Sequence, residues 1–243
     1  MYVETPESAK KLLQTIARQM KTLEGIEVVV APPFTLLSST AQTLKRSSVR
    51  VAAQTLAGGA GQKHTGAVSG TMLKAVGASA VIVGHSERRV FEDSNAVRAQ
   101  VVQALASGLV VVLCVGEAEH DASGAHVATV AAQLTSALND LPKGASSKIV
   151  IAYEPVWAIG KSAAEAMQPA DLEEMSIFIR KTLTDIFDRA SAARVPILYG
   201  GSVDASNAGD LMLSGGIAGF LVGRASVDPQ EFITIARIVE STT

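Results

Sequence analysis

The run VVVLCVG, residues 110–116, is the stretch that most clearly indicates how this chain folds. It is apolar at every position up to its closing glycine and shows no alternation with polar residues. Strands of a parallel sheet that is covered by helices on both faces have this composition. The run therefore predicts a buried parallel strand in an α/β protein.

Six further runs of this kind occur along the chain. They are residues 28–31, 49–54, 80–85, 148–155, 195–201 and 219–224. Apolar residues at helical spacing separate most of them, most clearly over 127–141 and 175–186. The chain opens on a helix, with Thr5 as candidate N-cap and Pro6 at the first helical position, and a last helix is predicted to begin at Asp228. The pattern is a helix followed by seven strands that alternate with helices.

Eight helical segments for seven strands predict a (βα)8 barrel whose first strand is missing from the chain. A doubly wound sheet has the same alternation and stays open as an alternative, because spacing alone does not close a barrel. The 243 residues contain no linker rich in proline, serine or charge, so one domain over residues 1–243 is expected. A barrel carries its chemistry at the C-terminal ends of its strands.

Composition excludes several classes of function. The net charge of −2 comes with no basic stripe, so no nucleic-acid partner is expected. The longest apolar run is shorter than a membrane span, and no charged-then-apolar leader is present. The single cysteine, Cys114, excludes an intrachain disulfide and agrees with a reducing compartment. A cytoplasmic protein that does not bind membranes is expected.

The histidine at the end of the third predicted strand is a candidate catalytic residue. Residues 80–85 run directly into Ser86 and Glu87, which can open a helical turn after His85. The positive potential at a helix N-terminus disfavours imidazolium and leaves a neutral hydrogen-bond donor. A structural histidine satisfied by neighbouring backbone is the alternative interpretation.

Glu154 is the candidate general base. It follows the apolar run IVIAY directly, which predicts a carboxylate at the barrel mouth beside low-dielectric material. Because burial disfavours the charged form, such a carboxylate is suited to accept a proton. The next residues, PVWAIG (155–160), start stiffly and continue with small residues, which predicts a lid with a hinge. An acid in a buried salt bridge is the alternative.

Two glycine-rich turns are candidate phosphate sites. YGGSV (199–203) and LVGRAS (221–226) end the last two predicted strands and place glycine amides near the hydroxyls of Ser202 and Ser226. Loops after strands seven and eight of a barrel recurrently bind phosphate. Glycine is also the ordinary residue of a tight turn, but the pairing on adjacent strands favours a phosphate site.

Together these parts predict one chemistry. A carboxylate base, a neutral electrophile, a phosphate anchor and a mobile cover suit proton transfer next to a carbonyl in a small phosphorylated substrate. No metal or organic cofactor is expected, since the four histidines are scattered and form no HxH or HExxH motif.

Six motifs together resemble the triosephosphate isomerase family. They are APPFTLL, VIVGHSERR, CVGE, IAYEPVWAIG, LYGGSV and LVGRAS, in family order over almost the whole chain. Of the six, GHSERR and YEPVWAIG are highly specific for this family. The resemblance implies a TIM barrel and an intramolecular aldose-ketose isomerase of glycolysis and gluconeogenesis, which interconverts dihydroxyacetone phosphate and D-glyceraldehyde 3-phosphate through an enediolate.

The resemblance also implies roles for individual residues. Glu154 shuttles the proton between the two carbons, His85 polarises the carbonyl and enediolate oxygens, and Glu87 supports the site from behind. Cys114 matches the buried cysteine of the family and is a packing residue. The residues implied to hold phosphate, mostly through backbone amides, are Gly160, Ser202, Gly223 and Arg224.

A homodimer is the assembly that the resemblance implies. QKHTGAVSG (62–70) is similar to the loop by which one subunit of the family reaches into its neighbour, with Thr65 near the active site of the partner. The family usually has an acid after this Thr-Gly, whereas this chain has Ala67, which is expected to weaken the anchoring of the loop.

Three departures from the family bear on activity. Family members start with a strand that ends in Asn-x-Lys-Met, and Met1 aligns with that methionine, so the asparagine and lysine are not among residues 1–243. Loss of one preorganised donor costs about 10²–10³ in rate. The lid usually reads Gly-Thr-Gly-Lys, whereas Gly160 meets Lys161 directly, which alters the contact expected between the lid and Ser202. Arg224 replaces a glycine of the phosphate loop but keeps the backbone amide.

Two alternatives to an active isomerase remain at this point. The first is an impaired isomerase-like barrel that binds phosphorylated ligands or partners without turnover, which the missing lysine favours. The second is a different phosphate-binding barrel enzyme, which explains neither specific motif. The presence of His85, Glu87, Glu154 and the lid hinge favours the isomerase.

Overall fold

Strands and helices alternate along the chain in the structure, which is a computed structural model and describes residues 1–59, 64–120, 124–142, 144–161 and 167–242. The strands are β1 Val29–Val30, β2 Arg50–Ala53, β3 Ala80–Val83, β4 Val110–Val115, β5 Ile149–Tyr153 and β6 Ile197–Tyr199. The helices are α1 Pro6–Gln19, α2 Phe34–Leu44, α3 Gly70–Ala75, α4 Ser86–Arg89, α5 Ser94–Ala106, α6 Ala125–Leu138, α7 Pro169–Ile186, α8 Arg189–Arg194, α9 Ala208–Ser214 and α10 Pro229–Thr242. At least one helix follows each strand.

The described strands form one parallel sheet whose spatial order is the same as their order in the sequence, β1-β2-β3-β4-β5-β6. Neighbouring strands pair in parallel throughout, as between β4 and β5 with Cys114 opposite Ala152. A doubly wound sheet instead reverses its strand order at a switch point. The doubly wound alternative is therefore wrong, since the sheet winds in one direction as in a barrel.

The predicted strand over residues 219–224 is reduced to a single bridge. Phe220 pairs in parallel with Tyr199, whose N–H donates to Gly219 and whose carbonyl accepts from Leu221. Gly219 has a φ of 148°, a conformation that a regular strand does not contain, so pairing does not extend along the segment. The segment still continues the sheet next to β6, as the sequence predicts, but the predicted strand was too long.

Side chains alternate between the two faces of the sheet. Ile82, Cys114 and Ala152 form one apolar cluster, against which partly buried residues of neighbouring strands pack. The residues beside them in sequence, such as Val83 and Tyr153, belong to the larger core under the helices. This alternation follows from the period of two along a strand. The sheet is therefore buried on both faces, as its apolar runs predict.

The first helix begins and packs as its sequence predicts. Thr5 is the N-cap, its hydroxyl accepting from the N–H of Ser8, and Pro6 occupies the first turn. The apolar face is buried, and α1 contacts both α2 and α10. The N–H of Glu24 donates to the carboxylate of Glu240 at 2.7 Å, which ties the end of α10 to the segment after α1. The first and last helices are thus neighbours in the helical layer.

The last helix is capped by Asp228, as predicted. One oxygen of its carboxylate accepts from the backbone N–H groups of Gln230 and Glu231. The side chain of Glu231 instead accepts from the N–H of Ala205 at 2.7 Å. That bond joins the start of α10 to the loop after β6, where the candidate phosphate residue Ser202 lies.

Candidate active site

Glu154 lies at the C-terminal end of β5 and is 2% exposed. Its backbone N–H donates to Val115 at the end of β4. The two carboxylate oxygens meet different partners: Oε1 is 3.2 Å from Nε2 of His85, and Oε2 accepts from the backbone N–H of Ser86 at 2.9 Å. The structure thus brings the predicted base and the predicted electrophile into direct contact.

His85 is the N-cap of α4, and its ring is oriented by that position. Its Nδ1 accepts a hydrogen bond from the backbone N–H of Glu87 at 3.3 Å. A neutral imidazole that accepts at one nitrogen carries its proton on the other, so Nε2 is the donor. The proton of Nε2 therefore points toward Oε1 of Glu154.

Gly84 turns the chain between β3 and His85. Its φ is +71°, a conformation that residues with a side chain rarely adopt. A Cβ at this position would also lie 2.9 Å from Nη2 of Arg89, which donates to the carbonyl of Cys114. The glycine of GHSERR therefore allows the strand to end where the histidine is needed.

Two glycines leave room for Glu154, a role that the sequence analysis missed. A Cβ on Gly116 would overlap the carbonyl group of Glu154, with its carbon at 2.5 Å. A Cβ on Gly200 would lie 2.8 Å from Cγ of the same residue. The motifs CVGE and YGGSV contain these glycines, but the pair in YGGSV was interpreted only as a phosphate site.

A buried carboxylate anchors the start of the predicted lid, and sequence reasoning also missed it. Glu117 is 2% exposed, and its Oε1 accepts from the hydroxyl of Tyr153 at 2.9 Å and from Nε1 of Trp157 at 2.7 Å. Its carbonyl accepts from the N–H of Val156. Burial, together with the charge of Glu117, raises the pKa of Tyr153. The segment predicted as a hinge is thus attached to the end of β4.

The candidate phosphate residues lie at neighbouring strand ends. Ser202 is half-buried in the loop after β6, and its carbonyl accepts from Nδ2 of Asn207. Gly223 and Arg224 are exposed at the start of a 3-10 turn that follows the bridged segment. The hydroxyl of Ser206 lowers the pKa of Asp204, and the charge of Arg224 contributes to this shift. The loops after β6 and after Phe220 therefore meet on one side of the mouth.

Gly160 lies apart from these loops in sequence, on the segment after β5. Its φ is +75°, and it is exposed. The residues after Lys161 up to 166, which include the predicted lid tip, lie outside the described residues.

The other candidate residues lie at the surface or are fully buried. The side chain of Glu87 is exposed, and its backbone N–H donates to Nδ1 of His85. Thr65 and Ala67 are exposed, whereas Gln62 and Lys63 of the same loop lie outside the described residues. Cys114 is fully buried, and burial raises the pKa of its thiol. The charge of Glu154 and a hydrogen bond with its side chain also contribute to this rise.

The described residues contain no candidate metal site and no candidate membrane span. No group of three or more histidine, cysteine, aspartate or glutamate side chains in this part of the chain could hold a metal ion. Among the described helices, none is long and apolar enough to cross a membrane.

The fold and the site define a class of protein, namely a β/α-barrel enzyme with a glutamate and a histidine in contact at the C-terminal ends of its strands. The family model described as triosephosphate isomerase matches residues 1–239. The chain belongs to the triosephosphate isomerase family.

Individual relatives agree with this assignment. The triosephosphate isomerase of Geotalea uraniireducens is 38% identical over 240 residues, which are 98% of this chain and 95% of the relative. That of Chlamydia trachomatis serovar D is 42% identical over 87% of this chain and 77% of the relative. The crystal structure of triosephosphate isomerase from Bartonella henselae has a TM-score of 0.86 and 35% identity, covering 97% of this chain and 94% of that one.

These matches confirm the predicted barrel fold, the predicted family and the predicted class of enzyme, an isomerase. They give no support to the alternative of an impaired barrel without turnover, or to a different phosphate-binding enzyme.

Proposed function

We propose that this chain, acting as one barrel domain over residues 1–243, interconverts dihydroxyacetone phosphate and D-glyceraldehyde 3-phosphate with Glu154 as the base and His85 as the electrophile. The observation that carries the proposal is the 3.2 Å contact between Nε2 of His85 and Oε1 of Glu154. The carbon that loses its proton and the neighbouring carbonyl oxygen are two bonds apart, so a base and a donor that act on them together must lie side by side in one site.

The first step is removal of a proton from carbon 1 of dihydroxyacetone phosphate. The carboxylate of Glu154 takes the proton, and the electron pair of the C–H bond moves into an enediolate whose negative charge develops on oxygen 2. The Nε2–H of His85 donates to that oxygen. A neutral donor that is already oriented stabilises the developing charge without a reorganisation cost.

The second step returns the proton to carbon 2. The carboxylic acid of Glu154 gives its proton to carbon 2, and the bond between carbon 1 and oxygen 1 becomes a carbonyl. The imidazole of His85 takes the proton of oxygen 1 and passes a proton to oxygen 2. No atom is gained or lost, and Glu154 finishes as a carboxylate. Gly200 leaves room for the side chain of Glu154 between the two carbons, since a Cβ there would lie 2.8 Å from its Cγ.

The phosphate of the substrate is proposed to bind at the loops after β6 and after Phe220. Backbone amides at Ser202, Gly223 and Arg224, joined by Gly160 from the lid, would hold its oxygens. The positive charge of Arg224, which already acts on Asp204, adds to the potential of that region. Glu87 is proposed to support the site through its backbone bond to His85.

The test of this function is the rate at which the purified protein converts glyceraldehyde 3-phosphate to dihydroxyacetone phosphate. His85→Gln is expected to lower kcat by about 10²–10³-fold, since it removes one preorganised donor to a developing oxyanion. The same substitution at His126, half-buried at the start of α6, is the control and should leave the rate within about twofold. Wild-type protein no faster than the His85→Gln variant would contradict the proposal and favour a barrel without turnover.

We further propose that the chain acts as a homodimer. Val90 and Phe91, between α4 and α5, are 77% and 84% exposed. Gly58, on the segment that leads to the Thr65 loop, packs so closely on α5 that a Cβ would lie 3.0 Å from that of Ala99. The exposed pair and this loop therefore flank the same helix. Burying each such side chain contributes about 1.5–3 kcal/mol, which supports a partner subunit on this face.

Phe91→Asp is expected to shift the protein from dimer to monomer, because a buried, unpaired carboxylate opposes association. Sedimentation equilibrium at several protein concentrations measures the shift. Leu213→Asp is the matched control, since Leu213 on α9 is 73% exposed and should tolerate the charge without a change in mass. A wild-type protein that is monomeric at every concentration would exclude the dimer.

The setting of the reaction follows from the same assignment. Triose phosphate isomerisation is a step of glycolysis and gluconeogenesis, and a cytoplasmic location is proposed on that ground.

A further inference from the structure

The side chain of Gln133 bridges both backbone polar groups of one residue at the mouth of the sheet. Gln133 projects from α6, and its Oε1 accepts from the N–H of Gly116 at 2.9 Å. Its Nε2 donates to the carbonyl of the same glycine at 2.8 Å. A carboxamide paired in this way reproduces the hydrogen bonding of a neighbouring strand. It therefore fixes the position of Gly116 in both directions along the hydrogen-bond axis.

Gly116 in turn fixes the backbone of the base. It is the first residue past the end of β4, where Val115 still pairs with Tyr153 and accepts from the N–H of Glu154. Its Cα lies against Glu154 so closely that a Cβ would overlap the carbonyl of Glu154. Any displacement of Gly116 toward β5 would therefore push on Glu154, the proposed base.

The residue after Gly116 is bonded to the segment predicted as a hinge. The carbonyl of Glu117 accepts from Val156, and its carboxylate accepts from Nε1 of Trp157. Movement at Gly116 is therefore passed to the hinge as well as to the base. Gln133 on α6 is thus connected, through the end of β4, to Glu154 and Trp157, which both follow β5.

We propose that Gln133 is a positioning residue for the isomerase reaction, which holds Glu154 and the hinge residue Trp157 in register through Gly116. The inference rests on the proposed role of Glu154. Gln133 touches neither the substrate nor the reacting atoms, so its effect is on geometry alone.

Gln133→Met keeps the size of the side chain but removes both hydrogen bonds. The N–H and carbonyl of Gly116 lose their partners, and the end of β4 is free to shift. Because a displacement of about 1 Å in a catalytic group can cost about 10²-fold, kcat is expected to fall about 10–100-fold. KM should change by less than about threefold, since the phosphate loops are on other strands.

The control is Arg98→Met, which loosens the other end of the same helix. Nη1 of Arg98 donates to the carbonyls of Asn139 at 2.6 Å and Ser136 at 3.3 Å, at and just before the C-terminal end of α6. Its loss should lower stability to urea without lowering kcat. Urea unfolding of both variants establishes that each is folded under the assay conditions.

Two further readouts separate positioning from general loosening. Trp157 is the only tryptophan of the chain, so the emission of Gln133→Met should shift while that of Arg98→Met should not. Gln133→Glu offers rescue, since a protonated carboxyl has one donor and one acceptor, as the carboxamide does. Its kcat relative to wild type should rise as the pH is lowered from about 8 to about 5.5.

A Gln133→Met variant with wild-type kcat and unshifted emission would overturn the inference, and so would an equal loss of kcat in Arg98→Met. Failure of the proposed function would look different. In that case the wild-type protein itself would turn over no faster than a variant that lacks the base, whatever residue stands at 133.

Discussion

Glu154→Gln is expected to lower kcat by about 10³–10⁴-fold, at the upper end of what loss of a positioned base costs. Glutamine has the shape of glutamate but does not take up a proton at neutral pH. The two oxygens of Glu154 now face two donors, Nε2 of His85 and the N–H of Ser86. Glutamine would turn one of these contacts into donor against donor, so one of the two would be lost.

The control for this variant is Glu240→Gln. The carboxylate of Glu240 also accepts a backbone N–H, that of Glu24 at 2.7 Å, but it lies on the last turn of α10. The kcat of Glu240→Gln should equal that of the wild-type protein. If Glu154→Gln retained more than a tenth of the wild-type rate, Glu154 would not be the base.

Gly116→Ala is expected to damage both stability and catalysis. The added Cβ would overlap the carbonyl of Glu154, and the contact is with backbone, which cannot rotate away as a side chain can. Overpacking of a core costs about 1–3 kcal/mol and occasionally more, and here the atoms that must move carry the base. We expect a loss of about 3 kcal/mol in the free energy of unfolding and a fall in kcat of about 10²-fold or more.

Gly209→Ala is the matched control, because Gly209 is in helix α9 and a Cβ there would be 3.9 Å from its nearest contact, on Ile238. Alanine in a helix is more stable than glycine by about 0.5–1 kcal/mol. The urea midpoint should therefore rise slightly while kcat is unchanged. Equal behaviour of the two glycine variants would show that Gly116 is not packed against the base as the structure has it.

The features that could be predicted from the sequence are those that depend on local pattern. Apolar runs gave the strands, and polar residues directly after them gave His85 and Glu154. The caps Thr5 and Asp228 were predicted from their neighbours within one helical turn. Motif order gave the family because several short stretches had to match at once.

The features that were missed depend on distant parts of the chain. Gln133 is 17 residues from Gly116, and nothing near it in sequence indicates which backbone group it bonds. Glu117 acts through Trp157, which is 40 residues away. The need for glycine at position 200 is evident only when the side chain of Glu154 is placed beside it. The predicted strand over 219–224 was too long for a local reason, since Gly219 interrupts it.

The central claim is that Glu154 carries a proton between two carbons of a triose phosphate, and the most direct test is the reaction in deuterated water followed by NMR. A carboxylic acid at the mouth exchanges its proton with solvent, so part of the product should carry deuterium at the carbon that receives the proton. The Glu154→Gln variant should incorporate none in the same time. Wild-type product without any deuterium would contradict the account, in which the proton passes through a carboxylic acid that exchanges with solvent.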